Sequence, residues 1–343
     1  MAHELEIING VAGMAFLEND AKPWHGLGVS VPEEVGRDRV KFMEAANMNK
    51  MHSLHQLQTD TGIKVDRYAV VRDDGKVVGN VGARYTLLQN HEAFEWFDEF
   101  LNLGEATFNT AGTLKEGAVV WILAKLNKNP MEIAAGDLVE KYLLLSHSHD
   151  GSLAVRVGFS PIRVLCANTL AMAHSDNASK LIRVKHSKNV KVNLENIRDT
   201  MNLANQEFEA TAEQYRFLTT KHINQKDLQK YIRLVFAHQQ PKLLEATDEQ
   251  IGWFKDGEND KEVVSTRLKH TLETVFELAE AGKGNNLPSI RGTYWTAYQG
   301  LTEYLSYQNG NNDDSRMSSL WYGPAATLNR HALDTAVQLA NAV

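Results

Sequence analysis

The feature that most constrains the fold is a change of hydrophobic periodicity near residue 192. Before this point, short runs of alternating apolar and polar residues are separated by turn signals, a pattern that predicts β-hairpins. After it, apolar residues recur every three or four positions, which predicts helices. A chain of 343 residues is long enough for two domains. We therefore expect an α+β fold in which an antiparallel, hairpin-rich sheet with packed helices is followed by a mostly helical C-terminal part.

The periodicity divides the chain into three segments. Residues 1–60 are predicted to be an irregular lead-in with one short helix over residues 39–49. Residues 61–192 are predicted to form the hairpin-rich domain, and residues 193–343 the helical domain. No alternation of strands and helices typical of parallel βαβ units is visible, so neither a Rossmann fold nor an α/β barrel is expected.

Individual elements are predicted within these segments. Three hairpins are expected, with turns at Asp74-Gly75, at Lys115-Glu116-Gly117 and at Asp150-Gly151. An amphipathic helix is expected over residues 91–103 with Asn90 as its N-cap, and a short strand over residues 180–186. Five helices are predicted in the C-terminal part, over residues 194–220, 225–238, 261–281, 293–307 and 325–341.

Charge is distributed unevenly along the chain. The formal net charge is -7, yet residues 151–191 contain seven Lys or Arg residues against a single acid, Asp176. The seven cations are Arg156, Arg163, Lys180, Arg183, Lys185, Lys188 and Lys191. Such a basic band is suited to a phosphate backbone, although a solvated strand and loop would have the same composition. The remainder of the chain is more acidic than its overall charge indicates.

A histidine-rich string precedes the third turn. Alternate residues of a strand point the same way, so His147 and His149 could present two imidazoles to one metal, with Asp150 as a carboxylate ligand. The simpler interpretation is a polar hairpin turn at a strand end. Neither interpretation is excluded by the sequence.

Two further strings have a weak resemblance to catalytic motifs. Cys166 lies in an apolar stretch, which is typical of a small buried side chain rather than a nucleophile. Gly282 and Gly284 flank a lysine, but the Gly-Lys-Ser/Thr of a phosphate loop is missing. We therefore predict no catalytic residue, no metal and no cofactor.

The C-terminal part contains a dense aromatic group. Tyr294 and Tyr298 share one helical face with Leu301 and Leu305, which indicates packing against a neighbouring helix or a second subunit. No stretch approaches the ~20 apolar residues of a membrane-spanning helix. The first 22 residues are acidic where a secretory leader would be basic. With one cysteine and no disulfide framework, a cytoplasmic protein is expected.

Several strings taken together resemble a phage and plasmid-like protein family that is named only as a domain of unknown function. The most specific is Arg163-Val164-Leu165-Cys166-Ala167-Asn168-Thr169-Leu170. The others are Pro23-Trp24-His25-Gly26-Leu27-Gly28, Tyr85-Thr86-Leu87-Leu88-Gln89-Asn90, His149-Asp150-Gly151-Ser152, Gly292-Thr293-Tyr294-Trp295-Thr296-Ala297-Tyr298, Thr302-Glu303-Tyr304 and Trp321-Tyr322-Gly323. The resemblance implies a protein of a mobile element in a bacterial host cell, with no enzyme class attached.

The resemblance also implies a function. Members of this family are similar in their genomic occurrence to the single-stranded-DNA-handling proteins of phages and conjugative plasmids. A hairpin sheet with helices also resembles the core of single-strand annealing recombinases. We therefore expect a single-stranded nucleic-acid-binding protein that supports annealing or recombination without covalent catalysis. Its partners would be single-stranded DNA, further copies of itself in a ring or filament, and a single-stranded-DNA-binding protein or nuclease of the same element.

Two alternatives remain open from the sequence. The acidic remainder of the chain could bind and modulate a host factor, since an acidic face mimics nucleic acid. The second alternative is a metal-dependent nuclease that uses His147, His149 and Asp150.

Overall fold

A computed structural model of the chain describes residues 6–8, 11–18, 28–126, 130–163, 182–184, 197–254, 264–310 and 313–342. These residues form two compact units. The sheet unit comprises the described residues up to 126, residues 141–160 and 182–184, and the first turns of the helix that begins at residue 197. The helical unit comprises residues 130–140, residues 161–163 and the described residues from 207 onward.

The described strands lie mostly in the sheet unit. They are β1 (Ile7–Ile8), β2 (Val11–Ala12), β3 (Met14–Leu17), β4 (Val29–Val31), β5 (His52–Gln58), β6 (Lys64–Arg72), β7 (Val77–Gly82), β8 (Ala106–Leu114), β9 (Val119–Leu126), β10 (Met131–Ala134), β11 (Asp137–Ser148), β12 (Val155–Arg163) and β13 (Ile182–Val184). The main sheet has the order β13-β12-β11-β9-β8-β3-β4, and β10 pairs with β11. The ladders of β8 with β9, β9 with β11 and β12 with β13 are antiparallel, whereas β3 and β4 pair in parallel.

The three predicted hairpins are confirmed. Asp74-Gly75 joins β6 to β7, and Gly75 has the positive φ of 85° that such a turn requires. Lys115 to Gly117 form a 3₁₀ turn between β8 and β9. Asp150-Gly151 lies between the neighbouring strands β11 and β12. The turn residues thus identified the pairing of consecutive strands correctly.

A second sheet of three strands has the order β5-β6-β7. Strand β5 lies inside the segment that the sequence predicted to be an irregular lead-in. Its residues Ser53 to Gln56 are exposed, so β5 lacks the alternation of apolar and polar residues that identifies a half-buried strand.

The described helices that lie wholly within the sheet unit are short. They are α1 (Glu33–Gly36), α2 (Arg39–Ala45), α3 (Asn90–Phe94) and α4 (Asp98–Asn102). The predicted helix over residues 91–103 is interrupted by a 3₁₀ turn at Glu95–Phe97. The rings of Phe42 and Phe97 pack against Phe108 of β8 at centroid distances of 5.5 and 5.2 Å, which attaches these helices to the buried strand.

The N-cap prediction for this helix was wrong. Gln89, not Asn90, precedes the first turn and forms a capping box with Glu92. Asn90 is buried, and its amide donates to the Met48 carbonyl oxygen at 2.9 Å. The Asn90 side chain therefore forms tertiary hydrogen bonds, whereas the local pattern predicted that it caps the helix.

The helical C-terminal part is confirmed. Its helices are α5 (Ile197–Thr219), α6 (Gln225–Ala237), α7 (Asp248–Ile251), α8 (Thr266–Ala281), α9 (Tyr294–Tyr307), α10 (Asp313–Tyr322) and α11 (Pro324–Asn341). The five predicted helices correspond to α5, α6, α8, α9 and α11. Helix α10 was not predicted, because it begins within a run of polar residues that was interpreted as a break. In the described part of the chain, no helix combines the length and apolar character needed to cross a membrane.

The aromatic group forms the core of the helical unit. Trp295 and Tyr298 are fully buried, and both pack against the ring of Tyr215. The Tyr298 hydroxyl donates to Asn329 Oδ1 at 2.8 Å. Helix α9 approaches α8 closely at Gly300, where a Cβ atom would lie 2.5 Å from the Ala279 backbone nitrogen. These aromatic side chains pack between neighbouring helices, one of the two roles predicted.

Candidate nucleic-acid interface

Two cations of the basic band occupy paired positions at the edge of the main sheet. Arg156 lies on β12 and is half-buried. Strand β13 is the last strand in the order, and its antiparallel register pairs Arg183 directly with Arg156. The neighbouring pairs in this ladder are Val155 with Val184 and Val157 with Ile182. Two arginines thus occupy facing positions within an otherwise apolar ladder.

The structure does not describe the lysines of the basic band. Lys180, Lys185, Lys188 and Lys191 lie outside the described residues, and so does Cys166. The strand predicted over residues 180–186 is described for Ile182–Val184 alone.

Arg163 has a different environment from the one predicted. It ends β12 within the helical unit, and its side chain is 0% exposed. Its Nε and Nη2 atoms donate to the two carboxylate oxygens of Asp137 at 2.7 and 2.9 Å. Asp137 is also fully buried, and it accepts a further hydrogen bond from Trp295 Nε1 at 2.7 Å.

The remaining donors of Arg163 are held by one loop. Nη1 donates to Asn285 Oδ1 at 2.9 Å and to the Lys283 carbonyl oxygen at 3.4 Å, and Nη2 donates to the Gly284 carbonyl oxygen at 3.0 Å. A guanidinium has five N–H donors, and all of them are now accounted for. Arg163 is therefore not available to a phosphate, which corrects its place in the predicted binding set. The same loop offers carbonyl oxygens here, which is the opposite of a phosphate-binding loop.

The histidine string belongs to the core of the sheet unit. His147 lies near the end of β11 and His149 directly follows the strand; their rings are 4.9 Å apart, and both side chains are fully buried. His149 Nε2 forms a 2.9 Å hydrogen bond with Asn90 Oδ1. Asp150 instead closes the turn, because its Oδ1 accepts from the Ser152 backbone amide at 2.8 Å.

A third histidine, His52, stacks on His149 with a centroid distance of 3.7 Å. Burial, assisted by the nearby charge of Arg72, lowers the pKa of His52 to about 4. Within the described residues, no group of three or more His, Cys, Asp or Glu side chains could hold a metal ion. The described arrangement is that of packed imidazoles and gives no support to the predicted nuclease alternative.

The sequence did not identify the partners of these two centres. Asp137 and Asn285 hold Arg163, while Asn90 and His52 contact His149. The sequence nevertheless contained a signal for these partners, because residues from different strings of the family resemblance are in contact in the structure. Tyr85-to-Asn90 meets His149-to-Ser152 through the Asn90 bond, and Tyr85 Oη also donates to the Ser148 carbonyl oxygen at 2.8 Å. The strings that contain Arg163 and Trp295 meet through Asp137.

Comparison with known families gives one match. Residues 77–333, which are more than half of the chain, match the profile of a domain of unknown function, DUF932. No curated protein and no solved structure is detectably similar to the chain. The matched range begins at β7 and includes β11, β12, both arginines of the edge ladder and most of the helical unit. The chain therefore belongs to the DUF932 family.

Proposed function

We propose that this protein binds single-stranded nucleic acid for a phage or plasmid and supports strand annealing or recombination without covalent chemistry. The observation that carries the proposal is the pairing of Arg156 with Arg183 at the edge of the main sheet. The register brings two arginine positions together on neighbouring strands. Arginine is the residue type best suited to bind a phosphate, because its planar guanidinium donates paired hydrogen bonds to the oxygens.

The position of the pair suits a backbone contact. Among the described strands, β13 ends the main sheet, and an edge strand can present its unpaired side to another molecule. A single strand of nucleic acid carries a regular series of phosphates. Cations that neutralise these phosphates bind without reading the bases, which stay accessible to a complementary strand. Arg163 is left out of this surface because Asp137 and the loop from Lys283 to Asn285 take all its donors.

Charge reversal with a matched control tests the proposal. We expect Arg156→Glu and Arg183→Glu each to weaken the binding of a fluorescent oligonucleotide by roughly tenfold at low salt, because each change replaces attraction by repulsion. Arg84→Glu introduces the same charge at an exposed position of the sheet unit and should change the affinity by less than about twofold. Fluorescence anisotropy measures all three.

Two outcomes would contradict the proposal. The first is an absence of oligonucleotide binding by the wild-type protein at low salt. The second is an equal affinity for the Arg156→Glu and Arg84→Glu variants, because the loss would then reflect net charge alone.

Self-association remains part of the proposal. The aromatic side chains Trp295 and Tyr298 are buried within the helical unit, so they offer no surface to a second copy. Annealing proteins of the kind proposed assemble along the strand. We therefore expect light scattering at micromolar concentration to give a mass that is a multiple of 38.4 kDa, and a strict monomer with and without oligonucleotide would count against such assembly.

A further inference from the structure

The helical unit contains a cleft that the proposed function does not use. Its volume is about 600 Å³, within the range of sites that hold small organic ligands. The wall is formed by side chains from α6, α8, α9, α10 and α11, including Phe236, Arg267, Tyr304, Arg316 and Leu328. All of these elements lie in the same compact unit.

The polar side of the cleft is suited to an anion. Two arginines, Arg267 and Arg316, line it together with the hydroxyl groups of Ser265, Thr271, Ser315, Ser319 and Tyr304. No Asp or Glu is among the described residues that line the cleft. Arginine and hydroxyl donors together form a donor set that recognises phosphate.

Parts of this donor set are held in position. Arg316 Nε donates to the Asn309 carbonyl oxygen at 2.7 Å, which fixes the plane of the guanidinium. The hydroxyls of Thr271 and Tyr304 lie 3.4 Å apart. Ser319 Oγ accepts from the backbone amide of the second residue of α11 at 3.1 Å. A site that is ordered before binding loses less entropy when a ligand enters.

The rest of the wall combines Gln239, Gln240 and Asn309 with an apolar surface. Phe236, Leu268, Leu328 and Pro324 line it, and the Phe236 ring meets the Tyr304 ring edge to face at a centroid distance of 6.5 Å. Aromatic and aliphatic side chains of this kind contact a planar or apolar ligand body. The cleft thus combines a phosphate-binding side with a surface for a ring.

We propose that the cleft binds a small organic phosphate with a planar aromatic body, of the size of a nucleoside monophosphate. Arg267 and Arg316 would contact the phosphate, and the Phe236 side of the cleft would contact the ring. This inference is independent of the proposed oligonucleotide surface, which lies in the sheet unit.

Calorimetric titration of the full chain with AMP, adenosine and inorganic phosphate tests the proposal at low salt. AMP should bind at least roughly tenfold more tightly than either adenosine or phosphate, since it alone fills both sides of the cleft. Arg267→Gln should weaken AMP binding by about tenfold or more. Arg267 is exposed, so its replacement should leave the fold intact, as the unfolding transition will show.

Two matched variants distinguish binding in the cleft from binding elsewhere on the protein. Arg291→Gln removes an exposed arginine of the same unit outside the cleft, and Arg156→Glu changes the proposed oligonucleotide surface. Both should bind AMP as the wild type does. The proposal is overturned if AMP does not bind at millimolar concentration, if phosphate binds as tightly as AMP, or if Arg267→Gln and Arg291→Gln behave alike.

Discussion

Arg163 and Asp137 form an ion pair in which both side chains are fully buried. Removing one partner of such a pair leaves an uncompensated charge in the protein interior. We expect Arg163→Met to lower the free energy of unfolding by about 3–5 kcal/mol, measured by denaturant titration. Arg291→Met, at an exposed position of the same unit, should change it by less than about 0.5 kcal/mol. A similar small effect at both positions would show that the buried pair is not a structural centre.

We expect His52 to make the sheet unit sensitive to acid, because burial lowers its pKa. Its pKa is about 4 in the fold, against about 6.5 in an unfolded chain. The unfolded state therefore binds more protons between these values, and stability falls as the pH drops from about 6.5 to 4. The full contribution is present above pH 6.5 and amounts to about 3 kcal/mol at most, from the difference between the two pKa values.

A His52→Phe variant tests this origin of acid sensitivity. Phenylalanine keeps a flat ring against His149 but does not titrate. We expect the wild type to lose more unfolding free energy than the variant between about pH 7 and pH 4.5. Parallel pH profiles of the two proteins would assign the acid sensitivity to other groups, such as Asp74, whose pKa is lowered by its hydrogen bonds from Arg72.

Strand β7 packs tightly against the end of β11. A Cβ atom at Gly79 would lie 2.5 Å from the His149 carbonyl oxygen and 2.6 Å from Asp150 Cα. Gly79→Ala should therefore destabilise the protein by about 1–3 kcal/mol through overpacking. On the same strand, a Cβ atom at Gly82 would have no neighbouring atom within 4 Å, so Gly82→Ala should be nearly neutral. Equal unfolding free energies for the two variants would contradict this close contact.

Elements with a strong local signal could be predicted from the sequence. The hairpin turn at Asp74-Gly75 and the long helices α6 and α9 were predicted because turn chemistry and a 3.6-residue period act locally. Strand β5 was missed since its residues are mostly polar and exposed on both faces. Asn90 was misassigned because its amide bonds to Met48 and His149, which are distant in the sequence.

The position of each charge along the chain could be predicted from the sequence, but its place on the surface or in the core could not. The sequence grouped Arg163 with the other cations of residues 151–191, yet its partner Asp137 lies 26 positions earlier. No spacing rule connects these residues, because a strand and a loop from other parts of the chain complete the site. The strings of the family resemblance include residues that form such contacts, so they identify the fold without naming an activity.

The binding of a phosphate backbone at the edge of the main sheet is the central proposal for this molecule. The dependence of oligonucleotide affinity on salt tests it most directly, because each neutralised phosphate releases counterions. If about five phosphates are neutralised on a single strand, a plot of log affinity against log salt concentration should have a slope of roughly -3.5. A slope near zero, or no binding at low salt, would contradict a backbone contact.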